Sequence, residues 1–145
     1  MSSEPVYLDY AATTPVDPRV AEAMQACLLK EGSFANAASI HSKGRQSAQV
    51  VADSRHRVAE LLHTSPDRLI WTSGATESDN LAIQGAARAR AHRGMHLITM
   101  PTEHKAVVDT FKELEKDGFQ VSWLQPDANG VLGIDTLRNT LREDT

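Results

Sequence analysis

Apolar residues recur along this chain at two different periods, and the alternation between them predicts its elements. The first fifteen residues read as an extended arm with Pro5 and Pro15 at its ends. Val20, Met24, Cys27 and Leu28 then fall at i, i+4, i+7 and i+8, one face of a helix. Asp17-Pro18 supplies its N-cap and a proline at the first helical position, and Gly32 supplies a stop. Ser33 to His41 is small and polar, hence a loop. A longer helix is predicted from Ser42 to about Leu62, with Ala48, Val51, Ala52, Val58, Ala59 and Leu62 inward. Thr64-Ser65-Pro66-Asp67 breaks it. Leu69 to Thr72 reads as a short buried strand, Glu77 to about Arg93 as a helix ended by Gly94, and His96 to Met100 as a second strand. Thr102 is placed to cap a helix that turns Val107, Val108, Phe111 and Leu114 inward and stops at Gly118. Phe119 to Leu124 is the third predicted strand. A turn over Pro126-Asp127-Ala128-Asn129-Gly130 follows, then a short helix from Asp135 carrying Leu137 and Leu141.

Strands alternating with helices indicate an α/β fold, a parallel sheet covered on both faces. Three strands are few, since sheets typically have about five or six. The alternation also calls for another strand after Arg142-Glu143-Asp144-Thr145. The expectation is an unfinished domain with an unpaired sheet edge and an uncovered apolar face.

Composition narrows the class without naming a function. At 145 residues, 41% hydrophobic and 23% charged, the chain has the balance of a soluble globular protein. A net charge of −4 argues against a nucleic-acid or anionic-membrane surface. No apolar run approaches membrane-spanning length, and Met1-Ser2-Ser3-Glu4-Pro5 lacks the basic start and apolar core of a signal peptide. A single cysteine, Cys27, excludes an internal disulfide and fits a reducing cytoplasm. On an apolar helix face beside Leu28 it reads as a small buried hydrophobe.

The candidate chemistry lies in Trp71-Thr72-Ser73-Gly74-Ala75-Thr76-Glu77-Ser78-Asp79-Asn80. A strand that turns through glycine into a helix presents unpaired N–H groups and the positive end of the helix dipole. That is an anion site suited to a phosphate, with Gly74 allowing close approach and the Ser73 and Thr76 hydroxyls adding donors. The same residues also read as an ordinary helix cap, since Thr76 with Asp79 three residues on approximates a capping box. Ligands of open α/β sheets sit beyond the carboxyl ends of the strands. The turn after Met100 lies at that end as well and carries His104, although by spacing alone a lone histidine at a helix start is usually a solvated or capping residue. His41, His56, His63, His92 and His96 show no cysteine or carboxylate cluster at zinc-like spacing, so no metal site is expected.

Three segments occur in a telling order: Tyr7-Leu8-Asp9-Tyr10-Ala11-Ala12-Thr13-Thr14-Pro15, Thr72 to Asn80, and Thr102-Glu103-His104-Lys105-Ala106-Val107. Together they resemble the N-terminal part of the cysteine desulfurases, pyridoxal 5'-phosphate enzymes of the class V aminotransferase group, from about Val6 to Thr145. The resemblance implies the large domain of a fold type I transferase, three-layer α/β/α with a mainly parallel sheet, incomplete here. Residues 1–15 would be an N-terminal arm and 16–145 the first part of the cofactor-binding domain. Gly74, Ala75 and Thr76 would hold the cofactor phosphate, through the Ala75 backbone N–H and Thr76. His104 would stack on the pyridoxal ring and move protons, serving as both a cofactor-binding and a catalytic residue. A complete family member converts L-cysteine to L-alanine, passing a persulfide to an acceptor or scaffold protein for iron–sulfur cluster or thio-cofactor assembly, as a homodimer.

The resemblance also marks what these residues do not supply. In the family the Schiff-base lysine lies much further along, in a Ser-x-His-Lys segment, and the sulfur-accepting cysteine on a late loop. Lys105, followed by Ala106-Val107-Val108, is therefore read as a solvated helix residue, and Cys27 as structural. The loop Ala35-Asn36-Ala37-Ala38-Ser39-Ile40-His41 departs from the family's usual Gly-Asn-Pro-Ser-Ser followed by histidine. Losing both Gly and Pro changes the backbone options at the pocket's border. A selenocysteine lyase or another class V aminotransferase would share these motifs. A non-catalytic anion- or nucleotide-binding module, or one part of a split protein, are the other readings.

Overall fold

The computed structural model describes residues 5–145. They divide into two compact units, one ending at Ile70 and the other running from Trp71 to Thr145. Each is built from the local signals above, with specific departures.

In the first unit the leading segment is not extended throughout. The Tyr7 hydroxyl donates to the Asp9 carbonyl (2.8 Å) and the Thr13 carbonyl (3.2 Å), closing a turn on which the Tyr7 and Tyr10 rings meet edge-on. Helix α1 is Pro18–Leu28, and the Asp17 carboxylate accepts from the Arg19 N–H at 2.9 Å, as an N-cap should. Its apolar face is not covered: Val20, Met24 and Leu28 are exposed, no α1 residue is buried, and Cys27 is only half-buried. The fully buried setting expected for Cys27 is not found among the described residues: it faces an open cleft across which Val50, Ser54 and Arg57 stand.

Helix α2 spans Ser42–Leu61. His41 caps it through Nδ1, which accepts from the Gly44 N–H at 3.1 Å. Gly44 is required by packing, since a Cβ there would stand 2.3 Å from the Ser39 carbonyl oxygen. The Ser47 hydroxyl, buried, donates to the Ser33 carbonyl and ties the preceding loop to the helix. Of the predicted inward face Ala59 is buried, Ala48, Ala52 and Val58 are half-buried, and Val51 and Leu62 are exposed. A single 3-10 turn at Pro66–Arg68 ends the unit's regular structure.

The second unit carries helix α3 (Ala75–Arg90), strand β1 (His96–Thr99), helix α4 (Lys105–Lys116), strand β2 (Gln120–Trp123) and helix α5 (Ile134–Thr140). The two strands pair in parallel, His96 opposite Gln120 through Thr99 opposite Trp123, with α4 as the connection. Ala87, Leu114 and Phe119 form the core, with Ile83, Ala91, Met95 and Leu97 packed against them. Gly118 takes φ +96, the left-handed turn that stops α4 and sends Phe119 back under it.

His96 is buried at the start of β1. Both of its ring nitrogens are engaged, Nδ1 with the Thr145 hydroxyl and Nε2 with the Ser122 hydroxyl, each at 2.8 Å.

Three sequence expectations are corrected here. The described residues form two strands rather than three: Leu69 is extended (φ −92, ψ 130), yet neither Leu69-Ile70 nor Trp71-Thr72 joins a ladder. A parallel strand exists by its neighbour's hydrogen bonds, and this segment has no such neighbour among the described residues. Helix α3 begins two residues before the expected Glu77 and ends at Arg90. Helix α4 is capped by His104, not Thr102.

Candidate functional site

Gly74 is the N-cap of α3 and Ala75 its first residue. The expected Thr76–Asp79 capping box does not form. Instead Glu77 folds back, and its carboxylate accepts from both the backbone N–H and the hydroxyl of Ser73, each at 2.7 Å. The Ser73 hydroxyl, and then its backbone N–H, hold the Glu77 carboxyl below its usual 4.5. Ser73 is therefore not available as the phosphate donor the sequence suggested. Behind it, the Thr72 and Ser78 hydroxyls meet at 2.7 Å and both reach the Gly74 carbonyl, fixing the turn into the helix.

What remains open is more specific than the sequence implied. Among the described residues, the Ala75 and Thr76 backbone N–H groups bond no backbone acceptor, and the Thr76 hydroxyl has no partner. All three stand in the first turn of a sixteen-residue helix, at its positive end. A Cβ built on Gly74 would meet nothing within 4 Å, so protein packing does not demand glycine there. These donors fit a dianionic phosphate. Gly74→Ala is accordingly expected to leave the protein folded, at the cost of a poorer N-cap residue, about 1 kcal/mol. Differential scanning fluorimetry checks this.

His104 stands at the carboxyl end of β1, beyond the turn from Met100. It is exposed and caps α4, its Nδ1 accepting from the Ala106 N–H at 3.2 Å. With Nδ1 an acceptor, the neutral ring carries its proton on Nε2. The cap thus fixes both the ring's orientation and its tautomer. Lys105, the neighbour that invites confusion, pairs with Asp109 one turn along the exposed side of the helix, a solvated role as expected.

Of the expected site residues Thr76 lines a cleft between the two helices, and Gly74, Ala75 and His104 are not among its lining residues. Thr76 and Ala106 line one cleft of about 280 Å³ between α3 and α4, with Asn80, Thr110 and Glu113. Asn80 was not singled out by sequence reasoning. It donates from Nδ2 to the Thr76 carbonyl (2.9 Å) and accepts at Oδ1 from the Gln84 amide (3.0 Å) and the Thr110 hydroxyl (2.9 Å). The available signal was its position one helical turn after Thr76. Among the described residues no group of three or more His, Cys, Asp or Glu side chains could hold a metal ion.

With this geometry in view, similarity to known proteins decides the family. Residues 6–145 match the family described as Aminotransferase class-V. The chain belongs to that family. It is 52% identical over 142 residues to the cysteine desulfurase IscS of Shewanella sediminis, covering 97% of this chain and 35% of that protein. Among solved structures, a NifS-like protein superposes with a TM-score of 0.84 at 36% identity, covering 92% of this chain and 36% of its own. A structure titled SspA in complex with cysteine gives a TM-score of 0.83 at 37% identity, covering 96% of this chain and 40% of its own. The chain therefore spans about a third of the length of the curated relatives it matches. The α/β architecture read from the alternation is that of these proteins, and the two-stranded parallel sheet is one part of it.

Proposed function

We propose that this chain forms the N-terminal third of a pyridoxal-phosphate-dependent cysteine desulfurase and supplies its phosphate cradle and ring-facing histidine. The observation that carries this reading is the set of unbonded donors in the first turn of α3, the Ala75 and Thr76 N–H groups and the Thr76 hydroxyl, with Thr76 on the cleft that α3 shares with α4, the helix that His104 caps. The 52% identity to a cysteine desulfurase over nearly the whole chain supports the same substrate, L-cysteine.

When bound, pyridoxal phosphate serves as an electron sink for the amino-acid substrate, so that the protein's task is to hold, orient and tune it. Ala75 and Thr76 would fix the phosphate end. The His104 imidazole, with Nδ1 already committed to the Ala106 N–H, would present Nε2 as its proton-carrying atom. Gly74 would keep the approach to the phosphate clear. The exposed apolar residues of α1 and α2 (Val20, Met24, Leu28, Leu61) fit surfaces that the remaining two thirds of such an enzyme, or a second copy of it, would cover. A sulfur acceptor or scaffold protein and a cytoplasmic setting belong to the same proposal. Among the described residues no helix is long and apolar enough to cross a membrane.

Two measurements test the function. The 145-residue chain alone, mixed with pyridoxal phosphate and L-cysteine, is expected to release no sulfide above the free-cofactor background. Neither Lys105, an exposed residue paired with Asp109, nor Cys27, half-buried on α1, fits the covalent steps. Joined to the remaining two thirds of the Shewanella sediminis enzyme, the same residues are expected to give a chimera that produces alanine and persulfide. A chimera that folds yet neither holds pyridoxal phosphate nor consumes L-cysteine would overturn the reading.

A further inference from the structure

A continuous run of hydrogen bonds joins the two turns of the site. The Thr76 carbonyl accepts from Asn80 Nδ2, and Asn80 Oδ1 accepts from the Thr110 hydroxyl. That hydroxyl also reaches the Ala106 carbonyl at 2.7 Å, and the Ala106 N–H donates to His104 Nδ1. A carbonyl oxygen can only accept, so Thr76 fixes which end of the Asn80 amide faces it. The single Thr110 hydroxyl proton is then shared between Asn80 Oδ1 and the Ala106 carbonyl. Thr110 is 2% exposed, so its hydroxyl is held to these two partners, while Asn80 is half-buried and also accepts from Gln84.

Among the described residues two side-chain hydrogen bonds link α3 to α4 or to its C-cap, Asp117. Asn80–Thr110 lies near the helix ends that carry Thr76 and His104. The Arg88–Asp117 pair, at 2.6 Å, lies near the opposite ends and is half exposed. We infer that Asn80, acting through Thr110, is a positioning residue that sets the phosphate cradle at Thr76 and the imidazole of His104 at a fixed separation. This rests on the pyridoxal-phosphate reading of the site. Neither Asn80 nor Thr110 needs to touch the cofactor for this role. Their bonds hold the first turn of α3 and the second turn of α4 in register, and a ligand gripped at both ends is sensitive to small changes in that register. Arg88–Asp117 ties the same helices together but cannot set the register at the site end.

The test uses the chimera described above and reads two quantities: the pyridoxal phosphate concentration giving half-maximal protein-bound cofactor absorbance, and the melting temperature of the cofactor-free protein. Asn80→Ala and Thr110→Val are each expected to raise half-saturation by up to about fivefold, the limit reached if the whole of one lost hydrogen bond had been holding the site in its binding geometry. The double variant is expected to be little worse than either single, because both remove the same link. Thr110→Ser keeps the hydroxyl and should bind close to the parent. Arg88→Ala should lower the melting temperature while leaving half-saturation unchanged. If Asn80→Ala does not fold, Thr110→Val against Thr110→Ser carries the comparison, since that pair isolates the hydroxyl.

Variants of Asn80 and Thr110 that lose only melting temperature, as Arg88→Ala does, would overturn the inference. So would Thr110→Ser binding as poorly as Thr110→Val, or strictly additive effects in the double variant. A parent chimera that takes up no pyridoxal phosphate overturns the functional reading and this inference with it. A parent that does, beside unaffected variants, overturns the inference alone.

Discussion

Replacing His104 by alanine in the chimera is expected to lower turnover by about 10²–10⁴-fold, the usual contribution of a positioned general acid or base. His104 also caps α4 through Nδ1, so the alanine variant removes two things at once. Loss of an N-cap costs about 0.5–2 kcal/mol of stability, which would appear as a lower melting temperature whatever the ring does. His104→Asn separates the two roles. Asparagine is among the best N-cap residues and can accept from the Ala106 N–H, but it cannot take up and release a proton near neutral pH. The asparagine variant is therefore expected to melt near the parent and still lose turnover to the same degree as alanine. Cofactor content should fall less than turnover in both. An asparagine variant with parental turnover would reduce His104 to a helix cap.

The parts of this structure that could be read from the sequence are those set by neighbours along the chain. Asp17-Pro18 opened α1 where expected because an N-cap and a following proline act within one turn. Gly118 ended α4 because the left-handed conformation is a property of that single residue. Strand β1 was legible from His96 onward because its apolar run lies against a partner that the same unit supplies. Leu69-Ile70 carries the same kind of signal, yet its partner strand is absent from the described residues, and the segment stays unpaired with Ile70 exposed. Periodicity reports what a segment would bury, not whether a neighbour is there to bury it.

The site shows the same division. That the turn at Gly74 leaves first-turn N–H groups unbonded followed from the chain entering a helix there, a local argument. Which donors stay free did not follow, because the Glu77 side chain chooses between solvent and Ser73 and sequence does not weigh those options. The Asn80–Thr110 bond was invisible for a different reason. Its members are thirty residues apart and meet only once α3 and α4 pack. His96 is a third case. It looked like one member of an unremarkable set of histidines, and only the placement of Ser122 and Thr145 beside it gives both ring nitrogens partners.

Thr76→Val in the chimera is expected to weaken pyridoxal phosphate binding ten- to a hundredfold while leaving the cofactor-free protein folded. The hydroxyl has no partner among the described residues, so its removal strands no protein group. Valine matches threonine in shape, and its helix propensity is nearly the same, so the α3 terminus should not pay for the change. What is lost is one donor to a phosphate at the positive end of α3. A hydrogen bond to a charged group contributes roughly 1.5–3 kcal/mol, which is on the order of ten- to a hundredfold in affinity. The backbone N–H groups of Ala75 and Thr76 survive the substitution, which is why binding should weaken rather than vanish. Thr76→Ser, retaining the hydroxyl, should restore most of the affinity. Equilibrium titration of cofactor absorbance measures the loss, and thermal melting without cofactor measures the control. If Thr76→Val lowers melting and leaves cofactor affinity alone, the hydroxyl belongs to the helix terminus and the phosphate cradle rests on the backbone alone.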